Sequence, residues 1–189
     1  MRVIRGFINA VDMSSYWTGR IFSWLAVAIA LVIFYEVVSR YFFNNPTLWS
    51  YDMAYYLGGS FLTLGACYVM LVGGNVRIDP IYMKLPRKVQ LWIDIVFTIG
   101  IFLPMWIMVT PRAWKMLIIA VERGQRASVG YWYPVLWPIR LTIALGITLL
   151  LIAGISWLIK LIYELHTGKE LRTGYEMRSE VHFRPEELK

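Results

Sequence analysis

Four long apolar blocks, parted by polar stretches, dominate the chain. The first runs from Ile21 to about Val38 (21–38) between Arg20 and Arg40, with a single acid, Glu36, in its last turn. The second, 53–73, is the cleanest, because no charged residue occurs between Asp52 and Arg77. The third covers about 89–109, with Asp94 near its start, and the fourth about 137–162, without charge between Arg140 and Lys160. At ~1.5 Å of rise per residue each block is long enough to cross ~30 Å of hydrocarbon. The blocks are continuous rather than alternating, which excludes a closed barrel and predicts an all-α integral membrane protein with four transmembrane helices.

Ahead of the first block the pattern changes. Val3, Ile4, Phe7, Ile8 and Val11 recur at three- and four-residue steps while Arg2, Arg5, Asn9 and Asp12 take the other side. This predicts an amphipathic helix over 2–13, lying in the membrane interface, with Tyr16 and Trp17 where the chain turns inward. The first block ends in Ser39, Arg40 and bulky Tyr41, Phe42 and Phe43, unlike a small-residue cleavage site, so it is expected to be retained. After Ile162 the residues 163–189 carry balanced charge and few apolar groups, and a mobile polar tail is expected there.

Lysines and arginines near the block ends set the expected orientation. Thirteen fall on the side that holds both termini, the second polar loop and the tail, against six on the other side, which places both termini in the cytoplasm. Five of those six lie between Pro111 and Arg140, a loop that also holds the apolar stretch Trp114 to Val121 and the aromatic run Tyr131, Trp132, Tyr133. The stretch is expected along the membrane surface and the run in an interfacial belt.

Composition narrows the chemistry. Of 189 residues 58% are hydrophobic and only 16% charged, too few charges for a soluble domain of this size. The formal charge of +7 forms no dense basic stripe, so no nucleic-acid partner is expected. Both histidines, His166 and His182, fall in the tail, and Cys67 is the single cysteine. A haem-bearing electron carrier needs paired intramembrane histidines and a thiol oxidase needs cysteine pairs, so neither class fits, and no cofactor, metal or catalytic residue is expected.

What remains are positions with structural and functional readings side by side. Gly58 and Gly65 share one face of the second block, where small residues let a helix backbone approach closely, either from another subunit or from within the bundle. Glu36 is an intramembrane acid of the kind that couples proton movement, which would make the chain a stand-alone exporter. Arg40 lies four residues later in the favourable order for an ion pair instead. Asp94 suits the first turn of its helix, where it complements the dipole.

Between the first two blocks stand Arg40, Asn45-Pro46, Trp49 and Asp52, and after the second comes Asn75-Val76-Arg77-Ile78-Asp79-Pro80. These two segments, with the block count, resemble the small membrane subunit, the DctQ type, of tripartite ATP-independent periplasmic (TRAP) transporters. In that family an Arg, a Pro, and a Trp followed by an acid recur between the first two helices, and a His-Val-Arg-Val-Asp-like motif ends the second. Here Asn75 replaces the His, which removes a titratable group from that motif. The resemblance implies a multi-pass protein of the bacterial inner membrane. Its implied partners are a large membrane subunit (DctM type), which carries a small organic acid with Na⁺, and a periplasmic substrate-binding protein (DctP type). It implies a scaffold role for this chain, with Arg40, Trp49, Asp52, Arg77, Asp79, Gly58 and Gly65 as contacts to the large subunit or to phospholipid.

Overall fold

The computed structural model describes residues 2–72, 85–128, 132–168, 171 and 173–175. Among them six α-helices follow in order: α1 Arg2–Phe22, α2 Trp24–Phe42, α3 Ser50–Leu71, α4 Arg87–Phe97, α5 Leu103–Glu122 and α6 Trp137–Thr167. Residues 98–102 form a π-helical turn that joins α4 to α5. Four stretches, 5–42, 50–71, 87–122 and 137–167, are long and apolar enough to cross a membrane. Outside the helices, the described residues pair as β structure only at a bridge between Arg126 and Val135.

The π turn has a local cause. Pro104 has no N–H to give the carbonyl four residues earlier, and its ring crowds that carbonyl. The helix widens by one residue, so that the Leu103 N–H reaches the Thr98 carbonyl, and the helix then continues. It runs well past the expected end at 109, through Pro111 to Glu122. The apolar stretch from Trp114 to Val121 therefore belongs to α5 rather than to a surface segment. Ala113 and Leu117 are buried there against Ala144 and Ile147 of α6, which is what keeps the stretch helical and docked.

α3 and α6 run parallel and form the centre. Tyr56 bonds to the Val135 carbonyl just before α6, Ser60 meets the Thr142 hydroxyl at 2.8 Å, and Thr63 lies against Gly146. A Cβ on Gly146 would stand 2.7 Å from the Thr63 carbonyl oxygen, so only glycine permits this approach of the two helices. α5 packs antiparallel to α6, with Trp114 Nε1 donating to Thr148 Oγ1 at 3.0 Å and Arg140 donating to the Met116 carbonyl. At the far end Leu91 and Ile95 of α4 bury against Leu161, and Arg87 pairs with Glu164 at 2.8 Å. α6 stops at Gly168, whose left-handed backbone (φ 67°) lets its N–H close on the Glu164 carbonyl.

The amphipathic helix runs further than 13, reaching Phe22, and bends into α2 at Ser23. Its buried stripe also differs from the expected one. Ile8, Val11, Asp12, Ser15 and Tyr16 are buried while Phe7 is 43% exposed. Val11 meets Cys67 and Met70, whereas Tyr16 and Gly19 meet Tyr68. Residues 11 to 19 of α1 thus lie over the turn of α3 from Cys67 to Met70.

Asp12 was expected on the polar, solvated side, and the structure overturns that. It is 4% exposed and accepts two bonds from Lys160 Nζ, at 3.0 and 2.8 Å, and a third from the Thr173 hydroxyl at 2.5 Å. The Tyr175 ring lies tilted at 45° against Tyr16, with centroids 5.7 Å apart, so residues 173–175 return to α1 rather than hanging free as expected of the tail. Removing one member of such a buried pair strands the other charge. Lys160→Met is expected to destabilise the chain by about 3 kcal/mol, and Asp12→Leu in the same molecule to restore most of that. Reversible unfolding in mixed micelles checks both; equal losses for the single and double variants would mean the pair is not coupled.

Candidate functional site at the α2–α3 corner

The end of α2 and the start of α3 meet in a short loop whose geometry is set by three backbone devices. Asn44 takes a left-handed conformation (φ 49°), which asparagine tolerates, and this stops α2 after Phe43. The Asn45 N–H then donates to the Ser39 carbonyl at 3.1 Å, while the Ser39 hydroxyl donates back to the Asn45 carbonyl. Pro46 next directs the chain into the first turn of α3.

This fold brings Glu36 under the loop. Its Oε1 accepts from Arg40 Nε at 3.1 Å and from Arg40 Nη2 at 2.5 Å. Its Oε2 accepts from the Thr47 backbone N–H and the Ser50 hydroxyl, each at 3.0 Å, and from the Thr47 hydroxyl. Both oxygens are saturated, by a cation, two hydroxyls and an amide. A carboxylate held this way ties the last turn of α2, the loop and the first turn of α3 into one unit. Arg40 is thus placed as the sequence suggests, four residues from its partner and with its head largely exposed.

Of the other expected contact residues, Trp49 stacks on Tyr35 of α2, with centroids 5.7 Å apart and an interplanar angle of 30°. Asp52 sits in the first turn of α3 and is buried, and among the described residues its Oδ2 has no hydrogen-bond partner. Arg40, Trp49 and Asp52 therefore share the corner. Gly58 and Gly65 lie further along α3, where an added Cβ would meet nothing within 4 Å, so the described chain does not use this face for its own packing. Tyr51, Tyr55, Leu62 and Val69 are exposed on the same side. Arg77 and Asp79 fall outside the described residues.

Sequence reasoning missed Thr47 and Ser50 as partners of Glu36, and the Asp12, Lys160 and Thr173 cluster at the opposite end. For Asp12 a signal existed: Ile8, Asp12, Ser15 and Gly19 step at four, three and four residues and form a stripe of their own. Among the described residues no group of three or more His, Cys, Asp or Glu side chains is arranged to hold a metal.

The fold, with four helical stretches long and apolar enough to span a bilayer and a polar corner between the first two, defines a multi-pass helical membrane protein. Residues 29–163 match the family model for the DctQ component of tripartite ATP-independent periplasmic transporters, and the chain belongs to that family. Among curated proteins none matches it. As a member it is a small permease subunit of a TRAP transporter, associated with the DctM and DctP components that define such systems.

Glu36→Gln keeps the shape of the latch and removes its charge. It is expected to speed exchange of the Thr47 amide about tenfold, the equivalent of ~1.4 kcal/mol. Hydrogen exchange in micelles measures this, and an unchanged rate would mean that loop closure does not rest on Glu36.

Proposed function

We propose that this chain is the static scaffold of a Na⁺-coupled importer. Its large membrane subunit would carry a small organic acid that a periplasmic binding protein delivers, and the present chain would hold the immobile part of that subunit in place. Both termini are assigned to the cytoplasm on the thirteen-to-six distribution of Lys and Arg, and the whole to the bacterial inner membrane on the family it belongs to. No step of binding or chemistry on the substrate is assigned to it, and it is read as no enzyme.

The observation that carries this reading is the open side of α3. Within a four-helix bundle a face of small residues normally serves packing, because close van der Waals approach replaces the hydrophobic drive that lipid does not supply. Here the bundle closes through Gly146 on α6, and Gly58 and Gly65 remain unfilled. A partner helix fits such a face. Arg40, Trp49 and Asp52 at the corner, and Arg77 and Asp79 beyond the other end of α3, are proposed as contacts with the large subunit or with phospholipid headgroups.

The exporter reading, with Glu36 as coupling acid, gains nothing from the geometry. A coupling carboxylate has to lose and regain its proton as it moves between partners. Glu36 instead has every acceptor position filled by neighbours that also close the loop.

The test is recovery of the large subunit on a tagged small one from detergent extracts. Gly58→Leu or Gly65→Leu is expected to lower that recovery several-fold while leaving the melting temperature of the small subunit alone within a few degrees. Undiminished recovery from both variants would remove this face from the interface. Uptake activity in liposomes from the small chain alone would overturn the scaffold reading itself.

A further inference from the structure

Asp12 is buried and Glu36 half-buried near helix ends, and both are answered by donors. Asp52 differs. It is 5% exposed, its Oδ2 is sealed from solvent, and among the described residues no donor reaches that oxygen. Donors of the corner and of the start of α6 bond elsewhere. Thr47, Ser50 and Arg40 point at Glu36, the Tyr56 hydroxyl donates to the Val135 carbonyl, and Arg140 Nη1 serves the Met116 carbonyl and Gln125. The first turn of a helix favours an anion through its dipole, but this replaces neither hydration nor a hydrogen bond.

The surface beside Asp52 is apolar and open. Asp52 lies on the stripe of Tyr56 and Ser60 that faces the start of α6, and the neighbouring stripe is open, with Tyr51 72% exposed, Tyr55 67%, and Leu48 exposed in the loop. A buried charge with aromatic groups at its rim is the arrangement in which a docked counter-charge is shielded from water. The two oxygens of a carboxylate exchange places by rotation about χ2, so the sealed one need not stay sealed.

Resting on the reading of this chain as the small subunit, we propose that Asp52 is the socket for a cationic side chain, arginine or lysine, of the large membrane subunit. Charge complementarity selects the occupant, since the missing element is a donor with positive charge. A guanidinium supplies two parallel N–H groups for the two oxygens. In the bilayer a lone cation on the partner is as costly as a lone carboxylate here, so each is relieved only when the subunits meet, which makes the contact specific.

The experiment uses the tagged chain co-expressed with the large subunit of its own transporter, with recovery measured after mild solubilisation. Wild type has to recover the large subunit; if it does not, the small-subunit reading fails, independently of Asp52. Given that recovery, Asp52→Asn is expected to lower it about tenfold or more, and Asp52→Glu, which keeps the charge, to retain most of it. The isolated full chain carrying Asp52→Asn is expected to melt at the wild-type temperature or above, because an unpaired buried charge has been removed. Undiminished recovery with Asp52→Asn, or an equal loss with Asp52→Glu, overturns the proposal. So does a lowered melting temperature of the isolated Asp52→Asn chain, which would make Asp52 a structural group within this subunit. Rescue of Asp52→Asn by added phosphatidylethanolamine would assign the cation to a lipid amine instead, and overturns it too.

Discussion

Everything in the bundle depends on how closely α6 lies on α3. Lipid tails are as apolar as the side chains they surround, so burial against a neighbouring helix brings little of the gain it brings in water. Close approach and interhelical hydrogen bonds have to take its place. Gly146 lets α6 rest on the backbone of Thr63, and the Ser60 and Thr142 hydroxyls pair one turn away. Once this pair is fixed, the other positions follow. α5 packs on the opposite side of α6, α2 runs along another flank of α3, and α1 crosses the end of α3 to reach α6. One side of α3 is left over, and it is the side with Gly58 and Gly65.

The three acids differ in what the fold offers them, although each stands near a helix end. Asp12 is paired with Lys160 and capped by Thr173, which fastens α1 and residues 173–175 to the end of α6. Glu36 is paired with Arg40 and closed over by Thr47 and Ser50, which fastens α2 to the start of α3. Asp52 has neither. The desolvation cost is common to all of them, so the difference lies in compensation, and an uncompensated acid beside two compensated ones is a specific departure from the pattern of this protein.

The helices were legible because a charge-free block of about twenty residues leaves the backbone few alternatives in a bilayer. The Glu36–Arg40 pair was legible for a similar reason, since four-residue spacing on a helix fixes which side chains meet. The rest of the corner was not. Thr47 and Ser50 reach Glu36 only because Asn44 turns the chain back, and a left-handed residue leaves no mark in a hydrophobic pattern. Asp12 was assigned to the polar side of its helix because its partner is 148 residues further on. Helix α5 was ended early because Pro111 and Arg112 read as a boundary, whereas Ala113 and Leu117 pack on α6 and hold the helix together. The glycines show the limit most clearly. Gly58 and Gly146 look equally suited to close packing in the sequence, and only their neighbours separate the filled position from the open one.

The two polar clamps also bear on the proposed scaffold role. One ties α1 to α6, the other ties α2 to α3, and they stand at opposite ends of the bundle. A helix pair held only by apolar contact in lipid can slide or tilt at small cost, because the contacts it loses are replaced by acyl chains. Fixing both ends removes that freedom, since any tilt large enough to matter would have to break a buried hydrogen-bonded carboxylate at one end or the other. Rigidity of this kind does not depend on a large apolar core, which a bundle with α2 packed along one side has no means of building. It leaves the open flank of α3 held between two polar clamps, which is what the proposed scaffold role requires of the face that meets a partner.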